Sequence, residues 1–136
     1  MEFSCLRTTA DWDALAQEWD LLYSRSHVQV PFLRCGYLRA WWQSLGGAEW
    51  QPENSALRII TAREHGDLIG IAPLFLSSKP GWRPALRLIG SVEVSDYLDL
   101  IAPPEALDEF LNGLLAFLRQ DQELRALPLE LLNLRE

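Results

Sequence analysis

An α/β (α+β) layer structure with a mixed sheet is what this chain predicts, on three observations. Two apolar stripes at helical spacing lie near the N-terminus, and a third lies near the C-terminus. Between them run short β-branched and apolar segments, punctuated by glycine and proline. The resulting order is β-α-α-β-β-β-β-α-β, with no repeat, low-complexity stretch or linker. The chain has 136 residues, so residues 1–136 are expected to form one domain with one real core.

Phe3 to Arg7 is the first strand candidate. Thr8-Thr9-Ala10-Asp11 then reads as a helix start, with a hydroxyl cap and an acid in the first turn. Trp12, Leu15, Trp19 and Leu22 recur at steps of three and four, which predicts one helix running to about Ser24. Ser26 to Pro31 is a connector. A second helix is expected over Arg34–Leu45, with Leu38, Trp41, Trp42 and Leu45 as its stripe and Gly46-Gly47 as its stop. Neighbouring helix residues point about 100° apart, so Trp41 and Trp42 cannot both enter one core. One ring should pack inward, while the other meets a neighbouring element, a partner or a ligand.

Ala56–Glu64 and Asp67–Leu76 read as a hairpin, with His65-Gly66 as a two-residue turn. The returning arm is apolar on both faces, which suits a central strand. Pro73 lacks an N–H, so a bulge or a loss of pairing is expected there. Ser77 to Pro84 reads as an exposed loop, and Leu86–Ser91 as a strand and turn. Pro103-Pro104-Glu105 opens a third helix, whose face carries Leu107, Phe110, Leu111, Leu114, Leu115 and Leu118. Leu127–Leu134 is a last strand, apolar on both faces. An uncovered strand of that kind invites aggregation. Something else is therefore expected to pack there: a missing C-terminal half, or a second copy in a homodimer.

The formal net charge of −7 argues against a nucleic-acid footprint and against a polybasic membrane anchor. No apolar run is long enough to span a bilayer, and the first residues lack a signal peptide's basic and apolar regions. Cys5 and Cys35 are expected to be reduced and largely buried, which suits a cytoplasmic protein. Neither histidine has acid or thiol neighbours at metal spacing. No GxSxG, HExxH, phosphate-loop or GxGxxG pattern occurs. Ser24, Ser26 and His27 are close in sequence but show no third group for a nucleophilic triad. Arg34, Arg39, Arg58, Arg63, Arg83 and Arg87 are scattered and read as solvated or surface-paired.

The stretch Leu86–Pro104 holds the only site candidates. In it Ser95-Asp96-Tyr97-Leu98-Asp99 leads into an apolar strand, where aspartate is disfavoured. Two readings stay open. Asp96 caps a turn and Asp99 faces water, or this strand mouth lines a polar groove. In a groove, Asp96 could bind an amine or accept its proton.

Several residue strings together resemble one family. They are Pro31-Phe32 ahead of Trp41-Trp42, the run Gly70-Ile71-Ala72-Pro73-Leu74, and Leu86-Arg87-Leu88-Ile89-Gly90 followed by Ser95-Asp96-Tyr97-Leu98-Asp99. Their order and spacing, over about residues 10–134, resemble the N-terminal half of CelD-like acetyltransferases of cellulose and exopolysaccharide biosynthesis. That group belongs to the GNAT superfamily and is similar to Fem-type aminoacyltransferases. The resemblance implies a GNAT-like mixed sheet with helices on both faces, and a tandem protein of which this is the first half. The superfamily's Arg/Gln-x-x-Gly-x-Gly/Ala donor loop is not found here. Acetyl-CoA or another acyl donor is therefore expected in the missing half, with no cofactor or catalytic residue in this one. Asp96, Tyr97 and Asp99 carry over as acceptor-channel residues for an amine on an envelope sugar or peptide precursor. The alternatives are a binding module that dimerises through its last strand and a complete small GNAT enzyme with an atypical donor loop.

Overall fold

The structure is a computed structural model that describes residues 1–48, 52–78, 83–90 and 100–130. Strand β1 is Glu2–Leu6. Helices α1 (Thr9–Ala14), α2 (Ala16–Tyr23) and α3 (Cys35–Ala48) follow. Then come β2 (Ser55–Leu57), β3 (Ile59–Glu64), β4 (Asp67–Ala72), β5 (Leu74–Ser77) and β6 (Ala85–Leu88). Helix α4 (Leu107–Gln120) and β7 (Leu129–Glu130) complete the described elements. The class is mixed α/β, as expected.

The strands form two sheets, ordered β1-β3-β4 and β2-β5-β6-β7. One hairpin joins them. Its first arm is β2 followed by β3, and its second is β4 followed by β5. The pairing keeps one register from Ser55↔Ser77 through Ile60↔Ala72 to Ala62↔Gly70, then shifts beside the turn. The expected single strand Ala56–Glu64 thus divides at Arg58, and Asp67–Leu76 divides at Pro73, where the ring supplies no ladder donor. His65 and Gly66 take φ of 53° and 86°, the pair of positive angles that a type I′ hairpin turn requires. Among the described residues every pair within the sheets is antiparallel except β6 with β7, which is parallel. A parallel pair needs a crossover, and α4 provides it.

Helices cover both faces. Phe3, Ala62 and Gly70 stand in one cross-strand row, and α4 lies on it: Phe110 stacks on Phe3 at 5.9 Å. A Cβ at Gly70 would overlap the Phe110 ring, and one at Gly113 would overlap Phe3. Those two glycines let helix and sheet approach. On the opposite face α1 and α2 lie over Ser4 and Thr61, while α3 sets Trp41 and Trp42 against Phe75 at 5.6 and 5.8 Å.

The helix stripes pack as their spacing demands. Trp12, Leu15, Trp19 and Leu22 are all buried, and Trp12 stacks on Trp19 at 5.6 Å. The Trp19 indole N–H donates to the Leu33 carbonyl at 3.0 Å. Thr8 caps α1 through its side chain, accepting from the Asp11 N–H at 3.1 Å. The expected single helix is broken at Leu15, whose N–H bonds back to Trp12 in a tighter turn. Helix α3 is capped from outside its own sequence: Asp20 Oδ1 accepts the Cys35 N–H at 3.1 Å. Of the adjacent tryptophans, Trp41 is buried and Trp42 only partly so. Cys5 and Cys35 are free thiols, and burial pushes Cys35 up to about 11.

An ion cluster ties the turn after α4 to the sheet. Arg58 grips Glu123 with two bonds, Nε to Oε1 at 2.8 Å and Nη2 to Oε2 at 3.1 Å. Arg7 adds Nη1 to Oε1 at 3.1 Å. The Arg58 hydrogen bonds, followed by those of Arg7, hold the Glu123 carboxyl down to about 2 from 4.5. A carboxyl depressed in the folded state stabilises the fold above its unfolded pKa, and that contribution fades as pH falls from about 4.5 towards 2. The Glu123 side chain is 41% exposed, so solvent screening limits the effect to about 1 kcal/mol. Urea midpoints at pH 7 and pH 3 should therefore differ less in Glu123→Gln than in the parent chain. Equal differences would show that the cluster contributes nothing.

Candidate functional site

The expected site residues Asp96, Tyr97 and Asp99 lie outside the described residues. Their flanks are described, and both join the same strand edge. After β6, the Ile89 N–H donates to the Pro73 carbonyl at 2.7 Å, and Gly90 turns with φ 93°. The chain rejoins that edge at Ile101, which exchanges two backbone bonds with Ile71, at 2.8 and 2.9 Å. Departure and return are thus two residues apart on one arm of the hairpin. The break at Pro73 makes this possible: it separates the part of the arm that pairs with β6 from the part that pairs with Ile101.

The returning segment is anchored from the connector after α2. The Ala102 carbonyl accepts the His27 backbone N–H at 2.9 Å and lies 3.0 Å from His27 Nδ1. A carbonyl only accepts, so Nδ1 is the donor in this contact. The Ser26 hydroxyl accepts the N–H groups of Val28 and Ala102, each at 3.4 Å. Ser24 Oγ donates to the Leu21 carbonyl at 2.6 Å. Ser24 and Ser26 thus have backbone roles. The sequence offers Ser26 and His27 only as poor nucleophile candidates. Their shared role in clamping Ala102 depends on a contact across 75 positions, which no local pattern reveals.

Arg87 corrects an expectation. The sequence groups it with the solvated or surface-paired arginines, yet it is 1% exposed. Its neighbours in the ladder are Phe75 on β5 and Glu130 on β7. Facing pairs share a side of the sheet, so Arg87 lies on the side that α3 covers, with Phe75 between it and Leu57. A guanidinium stays charged at any working pH and enters a core only with acceptors around it. Its chain neighbours Leu86, Leu88 and Ile89 are buried with it. Two other arginines behave as expected: Arg39 pairs with Asp13 at 2.8 Å and Arg63 with Glu18 at 2.7 Å, at the surface.

Among the described residues no three side chains of metal-ligand type converge, and no helix is long and apolar enough to cross a membrane. Compared with family models, curated proteins and solved structures, the chain matches none of them.

Proposed function

We propose that this chain is the first half of a GNAT-type N-acetyltransferase or related acyltransferase. Its acceptor would be an amino group of an envelope polysaccharide or peptidoglycan-like precursor. On this reading the chain supplies scaffold and one wall of the acceptor channel, and a second half holds the acyl donor. The observation that supports it most is the course of the sheet. A central antiparallel hairpin has β1 on one side and β6 on the other, and a crossover through α4 leads to a parallel β7. Helices on both faces agree with it. Asp96, with Tyr97 and Asp99, is the proposed contact for the amine, Asp96 being suited to take its proton.

A stand-alone module that dimerises is the second reading. It draws on β7, which stands last in its sheet and is paired on one side only among the described residues.

One calorimetric experiment separates the two. The 136-residue chain is titrated with acetyl-CoA, alone and joined to the second half that this reading requires. No heat is expected from the chain alone, and saturable binding from the joined protein. Binding by the chain alone would overturn the half-enzyme reading. No binding by either, together with a dimer in sedimentation, would favour the module.

A further inference from the structure

A hollow of about 250 Å³ lies between the β1–β3 ladder and the helices above it. Ser4 and Leu6 on β1 and Thr61 and Arg63 on β3 line it from below. Ser4 faces Thr61 in the ladder, and alternate residues share a side, so all of them stand on one face of the sheet. From above, Leu6 is met by Ala14 and Leu15, which gives the hollow an apolar part.

Its charge is not balanced. Arg63 bonds Glu18 twice, Nη1 to Oε2 at 2.7 Å and Nη2 to Oε1 at 2.9 Å, so those two charges cancel. Asp11 is left over in the same wall. Its backbone N–H goes to the Thr8 hydroxyl, while its carboxylate has no partner among the described residues. Thr61 lies deeper. It is only 5% exposed, and its hydroxyl makes no hydrogen bond among the described residues. That oxygen is not sealed from solvent, as those of Ser55 and Ser77 are, so a molecule in the hollow can reach it. The Ser4 hydroxyl opposite has no partner among the described residues either. A hydroxyl set as deep as that of Thr61 is nearly always bonded to something.

A carboxylate and two hydroxyl oxygens thus wait as acceptors around one small space. A primary ammonium carries three N–H donors, no acceptor, and the charge opposite to that of Asp11. The volume is below that of drug-sized sites, which begin at roughly 300 Å³, and suits a short alkyl chain. We propose that this hollow between β1, β3 and the α1–α2 segment binds a small primary alkylammonium ion, with Asp11 as its counter-ion, Thr61 and Ser4 as acceptors, and Leu6 and Leu15 against its alkyl chain. The residues of the acyltransferase reading follow β6 in the other sheet, so this site does not rest on that reading.

The test titrates the full chain with n-butylammonium chloride at constant ionic strength, followed by backbone amide shifts in NMR. Saturable millimolar binding is expected, with the largest shifts near Ser4, Asp11 and Thr61. Butanol lacks the charge, and butyltrimethylammonium keeps the charge but has no N–H. Each should bind at least about fivefold more weakly, the worth of one hydrogen bond. Asp11→Asn alters an exposed side chain and should weaken butylammonium binding about tenfold, as loss of a charge-assisted bond does. Thr61→Val keeps the volume and should weaken it about fivefold. Asp108→Asn, an equal change of charge on α4, should leave it unchanged. No saturable binding would mean that the Thr61 and Ser4 hydroxyls hold only water, and the proposal fails. Binding that Asp11→Asn leaves unchanged, that Asp108→Asn weakens equally, or that butyltrimethylammonium matches, overturns it as well.

Discussion

Gly70→Ala should lower folding stability by about 2 kcal/mol, a large loss for the addition of one methyl group. The added Cβ would overlap three atoms of the Phe110 ring, which is fully buried. That ring cannot retreat, because it is stacked on Phe3, and Phe3 in turn lies 5.9 Å from Phe117. Helix α4 must then move away from the sheet, or the aromatic stack must break. Urea denaturation of Gly70→Ala, Phe110→Leu and the double variant gives a closed cycle. The double variant should be more stable than the sum of the two losses predicts, because a leucine in place of the ring leaves room for the methyl. Strict additivity would show that the close approach of Gly70 to Phe110 does not limit the packing.

Arg87→Ala should cost about 3 kcal/mol, because it leaves a cavity under α3 where a fully buried side chain stood. Arg87→Met retains most of the volume but no charge, and buried charges are often replaceable by apolar groups of similar size. Its loss should therefore be the smaller of the two. Chemical denaturation of both variants checks this order. If alanine were tolerated without loss, the burial of Arg87 would have no energetic role. If Met were as damaging as Ala, hydrogen bonding rather than volume would account for the whole effect.

Local signals make much of the fold legible. The three-and-four spacing of Trp12, Leu15, Trp19 and Leu22 predicts a buried stripe, and all four are buried. The hydroxyl before the first turn predicts a cap, and Thr8 provides it. His65-Gly66 predicts the tight turn, and Pro73 predicts the break between β4 and β5. Each of these rests on backbone chemistry within a few residues, which a sequence states directly.

The site is far less legible. Asp96, Tyr97 and Asp99 stand out because aspartate is rare at a strand mouth, and they lie outside the described residues. The residues that hold the described flanks, Ser26 and His27, give no local hint of that task. The burial of Arg87 escapes a sequence reading because an arginine between leucines has the same sequence in a surface strand as in a covered one.

Periodicity and turn chemistry thus indicate most of the helices, strands and turns, because those choices depend on near neighbours, but they miss the break at Leu15 and the continuation of α3 through Gly46-Gly47 to Ala48. They could not decide where the hairpin passes from one sheet to the other, which helix covers which face, or that Arg87 ends inside. Those outcomes depend on contacts between distant parts of the chain: Asp20 on the first Cys35 turn, Phe110 against Gly70, Phe75 beneath Trp41 and Trp42. Such contacts exist only once the layers have closed on one another, and no stretch of sequence contains both partners.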